Sequence, residues 1–215
     1  ADRIAPNPDV VSHISYLAYQ AGPTMPSAYE DRTPVDETTL AAKGDDPVMA
    51  GLFKDMLARG TILDVTGSLF TKFEAQRKAD PKAKPLRCTG AATIRLTQQA
   101  WRAGVPISAG TDYEPEAGDA WPALFDELRY LAKDVGMPPL AVIRSATLVG
   151  AQAAGQDKEM GSIETGKLAN FIILAKDPSA DIDNVRSIET VVKRGKAYAR
   201  RDYAPVTAAE MERRP

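Results

Sequence analysis

The chain has 215 residues, with 27 Lys and Arg against 29 Asp and Glu and a formal net charge of −2. That balance gives no electrostatic drive toward nucleic acid or an anionic membrane surface, and no apolar run nears the ~18 residues of a membrane span. One cysteine, Cys88, excludes an intrachain disulfide, and one histidine, His13, excludes a multi-histidine metal site built from this chain alone.

The first residues hold no apolar signal core; a signal peptide, if the protein has one, lies upstream. A β-branched run over residues 9–15 reads as a short buried strand. The polar, proline-containing stretch 21–46 is long for a loop and of the kind that carries function. Asp46 and Pro47 then open a helix as N-cap and first residue, and Gly60 closes it. Met49, Leu52, Phe53, Met56 and Leu57 give that helix one apolar face. Residues 61–66 read as a second strand. A helix over about 89–103, stopped by Gly104, leads into a third strand at 105–109. Cys88 reads as an inert thiol just before that helix. Strands alternating with helices imply crossovers and a parallel sheet, an α/β fold.

After Asp112 the pattern changes. An amphipathic helix spans 124–135 and ends at Gly136, and a second begins near Pro138 and Pro139. Residues 170–174 form an apolar strand. Residues 190–193 and 196–199 form a hairpin across Arg194 and Gly195. The tail, 204–215, reads as a short exposed helix or a frayed end.

The sharpest chemical feature is Ser108, Ala109, Gly110, Thr111, Asp112, at the carboxyl end of a predicted parallel strand. Loops at that end frame the ligand crevice in β/α folds. A carboxylate there binds a metal or accepts a proton from water. His13 falls at the same end of another strand, so His13 and Asp112 are expected to face one crevice. Each also has a plain structural reading, as a core histidine and a turn aspartate. Tyr113, Glu114 and Glu116 line a pocket or are solvated. The run from Gly161 to Lys167 is not a phosphate-binding loop, because Leu168 stands where a hydroxyl residue is needed and a strand follows.

Four stretches together carry a family resemblance: residues 104–112, 140–154, 160–174 and 191–198. In this order and spacing the chain resembles the metal-dependent amidohydrolase superfamily, in its imidazolonepropionase-like and prolidase-like branch. The resemblance implies the C-terminal part of a (β/α)8 TIM-like barrel beside a small β-sandwich made by both chain ends. Residues 1–160 would be partial barrel, carrying strands six to eight. Residues 161–203 would be sandwich strands, and 204–215 a tail. His13 would be the strand-six histidine at the metal centre. Asp112 would be the strand-eight aspartate, which ligates metal and shuttles the proton. The implied cofactor is a divalent metal, zinc, with one or two ions in the complete protein. The implied reaction is attack by a metal-activated hydroxide on a C–N bond of an amide, dipeptide or cyclic amide.

The family's paired strand-one histidines, strand-four lysine or acid and strand-five histidine are absent from this sequence and would lie upstream of residue 1. The chain alone is therefore expected to be inactive. The missing barrel half or a homo-oligomer is the expected partner, alongside a small-molecule or dipeptide substrate. The other readings are a non-catalytic structural module and a complementing subunit. Residues 21–46 and 113–121 are the segments expected to face substrate. Asn170 stands where the family often has aspartate, a departure that bears on packing.

Overall fold

Two three-stranded sheets organise the computed structural model, which describes residues 8–21, 33–35, 45–80, 82–83, 85–113 and 116–212. The first sheet is parallel, with strands β1 (Val10–Ser12), β2 (Ile62–Asp64) and β3 (Ile107–Ser108) side by side in chain order. Side chains alternate between the two faces of such a sheet. Val11, Leu63 and Ile107 share one register row and join the hydrophobic core with Phe53, Met56, Leu96 and Ala100. Each fully buried side chain of that kind contributes roughly 1.5–3 kcal/mol. Ser12, Asp64 and Ser108 form the next row, on the opposite face.

Helices cover the core face. The first, α1 (Ile14–Leu17), runs on into a 3-10 turn over Ala18–Gln20. The second, α2 (Pro47–Arg59), is capped as its sequence predicts. Asp46 accepts from the N–H groups of Val48 and Met49, both at 3.0 Å, and Gly60 takes the left-handed conformation at φ 72°. Next come α3 (Gly67–Ala79) and α4 (Gly90–Arg102), the latter capped by Thr89. The buried Gln99 side chain donates to the Asp46 carbonyl at 2.7 Å and accepts from its N–H at 3.0 Å, which locks the start of α2 to α4.

Several expected boundaries move. The strand expected over 9–15 stops at Ser12, because His13 adopts φ 68° and turns the chain into α1. The strand expected at 105–109 keeps only Ile107–Ser108 as ladder, since Pro106 has no N–H to donate. Residues 67–79, unassigned in the sequence, form α3. The helix expected over 124–135 is α5 (Leu124–Arg129) followed by a π-helical turn over Tyr130–Asp134. A second π-helical turn, Ser145–Val149, separates α6 (Pro139–Arg144) from α7 (Gly150–Ala153). Such turns are frequent at functional sites, and the Ser145 carbonyl accepts from Ala109 N–H just beyond β3.

The second sheet is an antiparallel meander of β4 (Phe171–Leu174), β5 (Ile188–Lys193) and β6 (Lys196–Ala199). The β5–β6 turn places Arg194 and Gly195 at φ 51° and 78°, the pairing of positive angles a two-residue hairpin favours. Asn170 Oδ1 accepts from Arg194 N–H at 2.8 Å and steadies that turn. A 3-10 turn over Ile182–Arg186 buries Ile182 and Val185 in the main core. Arg129–Asp183, Lys133–Asp181 and Arg186–Asp126 pairs fasten it at the surface. The tail ends in α8 (Ala208–Met211), held by a capping box between Thr207 and Glu210. No helix among the described residues is long and apolar enough to cross a membrane.

Candidate functional site

Three of the four described non-glycine residues with positive φ stand at or just past the carboxyl ends of the parallel strands: His13 (68°), Thr66 (51°) and Asp112 (47°). Residues with a Cβ avoid this region, and where they are held in it they cluster at functional sites. Here the twist turns all three side chains off the sheet and toward one another. His13 Nδ1 lies 2.8 Å from Thr66 Oγ1, and His13 Nε2 lies 3.7 Å from Asp112 Oδ2. The two residues singled out by sequence thus meet at one place, with Asp112 largely exposed and His13 partly covered.

The hydrogen bonding orients the imidazole. Thr66 has one hydroxyl proton, and it donates that proton to the Val65 carbonyl at 2.8 Å. Its oxygen then accepts from His13 Nδ1–H, and in the neutral imidazole Nε2 presents a lone pair. In that form two acceptors, Nε2 and a carboxylate oxygen, face each other at 3.7 Å. That arrangement calls for a positive centre or a water. Two ligands about 2.0–2.1 Å from one tetrahedral ion would stand roughly 3.3 Å apart, so a divalent cation fits the donor set and nearly fits the spacing. The Nδ1–H···O contact to Thr66 is the kind of outer support that orients a metal-binding histidine. Among the described residues no group of three His, Cys, Asp or Glu comes together, so these two donors are only part of a closed site.

Sequence reasoning missed Asp64. Its carboxylate accepts from Ser12 Oγ at 3.1 Å and Ser108 Oγ at 3.0 Å, tying the last residues of β1, β2 and β3 together just beneath the pair. Gly110 makes room for it, because a Cβ there would stand 2.0 Å from Asp64 Oδ1. A strand-end carboxylate was the signal that singled out Asp112, and the same signal was available at Asp64.

Glu127, fully buried on α5, was also missed. Its two carboxylate oxygens accept from Gly67 N–H at 3.0 Å and Ser68 N–H at 2.8 Å, the unpaired donors at the start of α3. Burial pushes its pKa up to about 7, against the opposing pull of the hydrogen bonds from Ser68 and Gly67. The Tyr130 ring packs over the same turn, where a Cβ on Gly67 would come within 2.1 Å of it. Tyr130 and Thr97 hydroxyls meet at 3.1 Å beneath. The β2–α3 turn that holds Thr66 is therefore anchored from α5.

A pocket of about 330 Å3 opens beside His13 and Asp112. Its walls are Tyr16 from α1, Leu69, Phe70, Phe73 and Gln76 from α3, and Pro85, Leu86 and Arg87 from the segment before α4. The Arg87 guanidinium stacks on the Tyr16 ring at 4.7 Å. Of the two segments expected to face substrate, 21–46 lies mostly outside the described residues. The other, 113–121, lines a separate pocket through Tyr113, Glu116, Asp119 and Trp121, closed by Tyr203 and by Val206 and Met211 of the tail. Glu114 lies outside the described residues.

Comparison with known proteins follows this geometry. The model of the Amidohydrolase family matches residues 39–198. An imidazolonepropionase from Symbiobacterium thermophilum is 31% identical over 96 residues, covering 43% of this chain and 22% of its own length. An N-substituted formamide deformylase from Arthrobacter pascens is 28% identical over 152 residues, covering 67% of this chain and 26% of its own. The crystal structure of a Xaa-Pro dipeptidase with bound methionine in the active site superposes with a TM-score of 0.60 at 28% identity, over 69% of this chain and 37% of that one. The chain thus spans about a quarter of the curated relatives it matches. With the family model covering most of its length, and with strand-end residues turned toward a common crevice, the chain belongs to the amidohydrolase family.

Proposed function

We propose that this chain forms strands six to eight of a (β/α)8 barrel, with C-terminal strands of a β-sandwich, in a divalent-metal-dependent hydrolase of C–N bonds. The observation that carries the reading is the convergence of His13 Nε2 and Asp112 Oδ2 at 3.7 Å, at the carboxyl ends of parallel strands. The relatives support the bond class: a formamide deformylase and a dipeptidase both act on C–N bonds. His13 and Asp112 would hold the cation, zinc in our reading, and the remaining ligands would come from polypeptide other than the described residues.

The chemistry that a divalent ion supplies in such a site is Lewis acidity toward a carbonyl oxygen and a readier loss of a proton from water. The chain's own residues do the rest. Asp112, exposed at the mouth, takes the proton from the attacking water and returns it to the leaving nitrogen. Thr66 holds His13 Nδ1–H, which turns Nε2 toward the cation site beside Asp112. Asp64 and its two serines keep the three strand ends in register around the reacting centre.

The test is hydrolysis of an N-substituted amide by the complete zinc-loaded protein. Asp112→Asn, which keeps shape and removes the base, is expected to lower kcat by about 10²–10⁴-fold. Thr66→Val is expected to weaken metal affinity about 10–100-fold. Unchanged turnover in the Asp112 variant would sink the proposal.

A further inference from the structure

The stretch of α3 that faces His13 is more apolar than a site for a small polar amide requires. Leu69, Phe70 and Phe73 line the pocket together, with Gln76 one step further out. Positions 70, 73 and 76 recur every three residues, so they fall along one side of the helix. At a rise of about 1.5 Å per residue, that side runs for about 9 Å away from the site. The rings are in contact: His13 and Phe70 meet edge to face at 6.2 Å between centroids, and Phe70 and Phe73 at 6.1 Å. Tyr16 closes the other flank of His13 at 5.3 Å.

Phe73 is 38% exposed, although it stands on the wall of a pocket. An aromatic side chain left partly in water beside a polar reacting pair marks a surface that gains free energy when a ligand covers it. A cavity of about 150 Å3 with apolar walls is enough for benzene, so 330 Å3 holds a ring together with the amide attached to it.

We propose that this pocket binds an aryl or comparably bulky apolar substituent of the substrate, laid along Phe70 and Phe73, with the scissile amide turned to His13 and Asp112. The proposal builds on the hydrolytic reading by naming its substrate class: N-aryl or N-aralkyl amides rather than small polar cyclic amides. Edge-to-face packing on Phe70 and Phe73 orients the ring, and Gln76 at the outer end tolerates polar groups on it.

The experiment measures binding apart from turnover. The 215-residue chain is titrated with N-phenylacetamide and with N-methylacetamide, and dissociation constants are read by NMR chemical-shift perturbation. Burying one ring predicts at least tenfold tighter binding of N-phenylacetamide. Phe73→Gln is expected to remove most of that preference and Phe73→Leu to keep it. Gln76→Phe, which lengthens the wall, is expected to tighten binding further. Phe171→Gln, a comparably exposed ring on the second sheet, serves as the control and is expected to change nothing. Equal affinity for the two amides overturns the proposal, as does a Phe171 variant that behaves like the Phe73 variant. Ring-dependent binding with no release of aniline from the complete metal-loaded protein leaves the pocket standing and refutes the hydrolytic reading. Aniline release that is indifferent to Phe73 and Gln76 does the reverse.

Discussion

Glu127 shows how one buried carboxyl ties stability to the geometry of the site. It holds the two leading N–H groups of α3, and α3 begins one residue after the threonine that orients His13. Burial raises its folded pKa from 4.5 to about 7, with the Asp64 charge adding to the rise. The folded state therefore prefers the protonated form more than the unfolded state does. The contribution of this group is fullest below about pH 4.5 and is lost as the pH climbs through about 7. Between pH 5.5 and pH 8 the wild-type melting temperature is expected to fall, and Glu127→Gln should flatten that slope. Thermal denaturation at the two pH values measures it; an equal slope in the variant would mean that Glu127 does not titrate in this window. At the same scale, His13 and Asp112 were legible because each sits where an apolar strand gives way to a polar turn. Asp64 was not, because what makes it a fastening is two serines on other strands, 52 and 44 residues away.

Among the elements, α2 and α3 differ in what the sequence could disclose. The cap of α2, Asp46 with Pro47, and its closing Gly60 are local signals, and the structure follows them. The start of α3 has no local cap: Thr66 makes no side-chain capping bond, and the capping carboxylate arrives from Glu127, about 60 residues further on. Its apolar positions are also spent on a pocket wall, with Lys72, Glu74, Arg77 and Lys78 between and beyond them, so no clean amphipathic period emerges. The tail is a similar case. Composition left open a short exposed helix or a frayed end; the helix α8 forms, and just before it Gly118 N–H donates to the Val206 carbonyl at 2.9 Å and Tyr203 Oη to the Asp119 carbonyl at 3.2 Å. The Arg200 guanidinium lies 4.3 Å from both the Trp121 and Tyr203 rings and donates to the Ala120 carbonyl. On the other flank Lys72 sits 4.4 Å over Tyr113. The segment just after Asp112 is thus braced at both ends. Arg200→Ala is expected to free Trp121: in a Trp101→Phe background, where Trp121 is the sole reporter, its emission should shift to the red and quench more readily with iodide. An unchanged spectrum would show that Arg200 does not hold this segment.

At the level of the molecule, the two sheets stand in different relations to water. The parallel sheet buries one face under helices, as its sequence pattern required. The antiparallel sheet is exposed on strands that are nonetheless apolar. Ile172, Val191 and Tyr198 pair across it in one row and are all exposed. Hairpin and strand positions were legible from alternation and from the Arg194–Gly195 turn, but which face is covered was not, since alternation does not name a partner. Such a row favours association. The isolated 215-residue chain is expected to self-associate with rising concentration, and Val191→Lys to shift it toward monomer, by sedimentation velocity. A monomer at every concentration would show that the row attracts no second copy.

The arrangement of the strands also sets an order of events as the chain is made. β5 and β6 are joined by a two-residue turn and can zip within microseconds of leaving the ribosome. β1 must wait for β2, since Val10 pairs with Ile62 only after the intervening polypeptide has closed into a loop. His13 therefore acquires its orienting threonine late, and its left-handed turn is a product of assembly rather than a seed for it. Among these six strands, synthesis completes the hairpin sheet quickly, while the strand that leads into His13 emerges before its neighbours and stays longest without them.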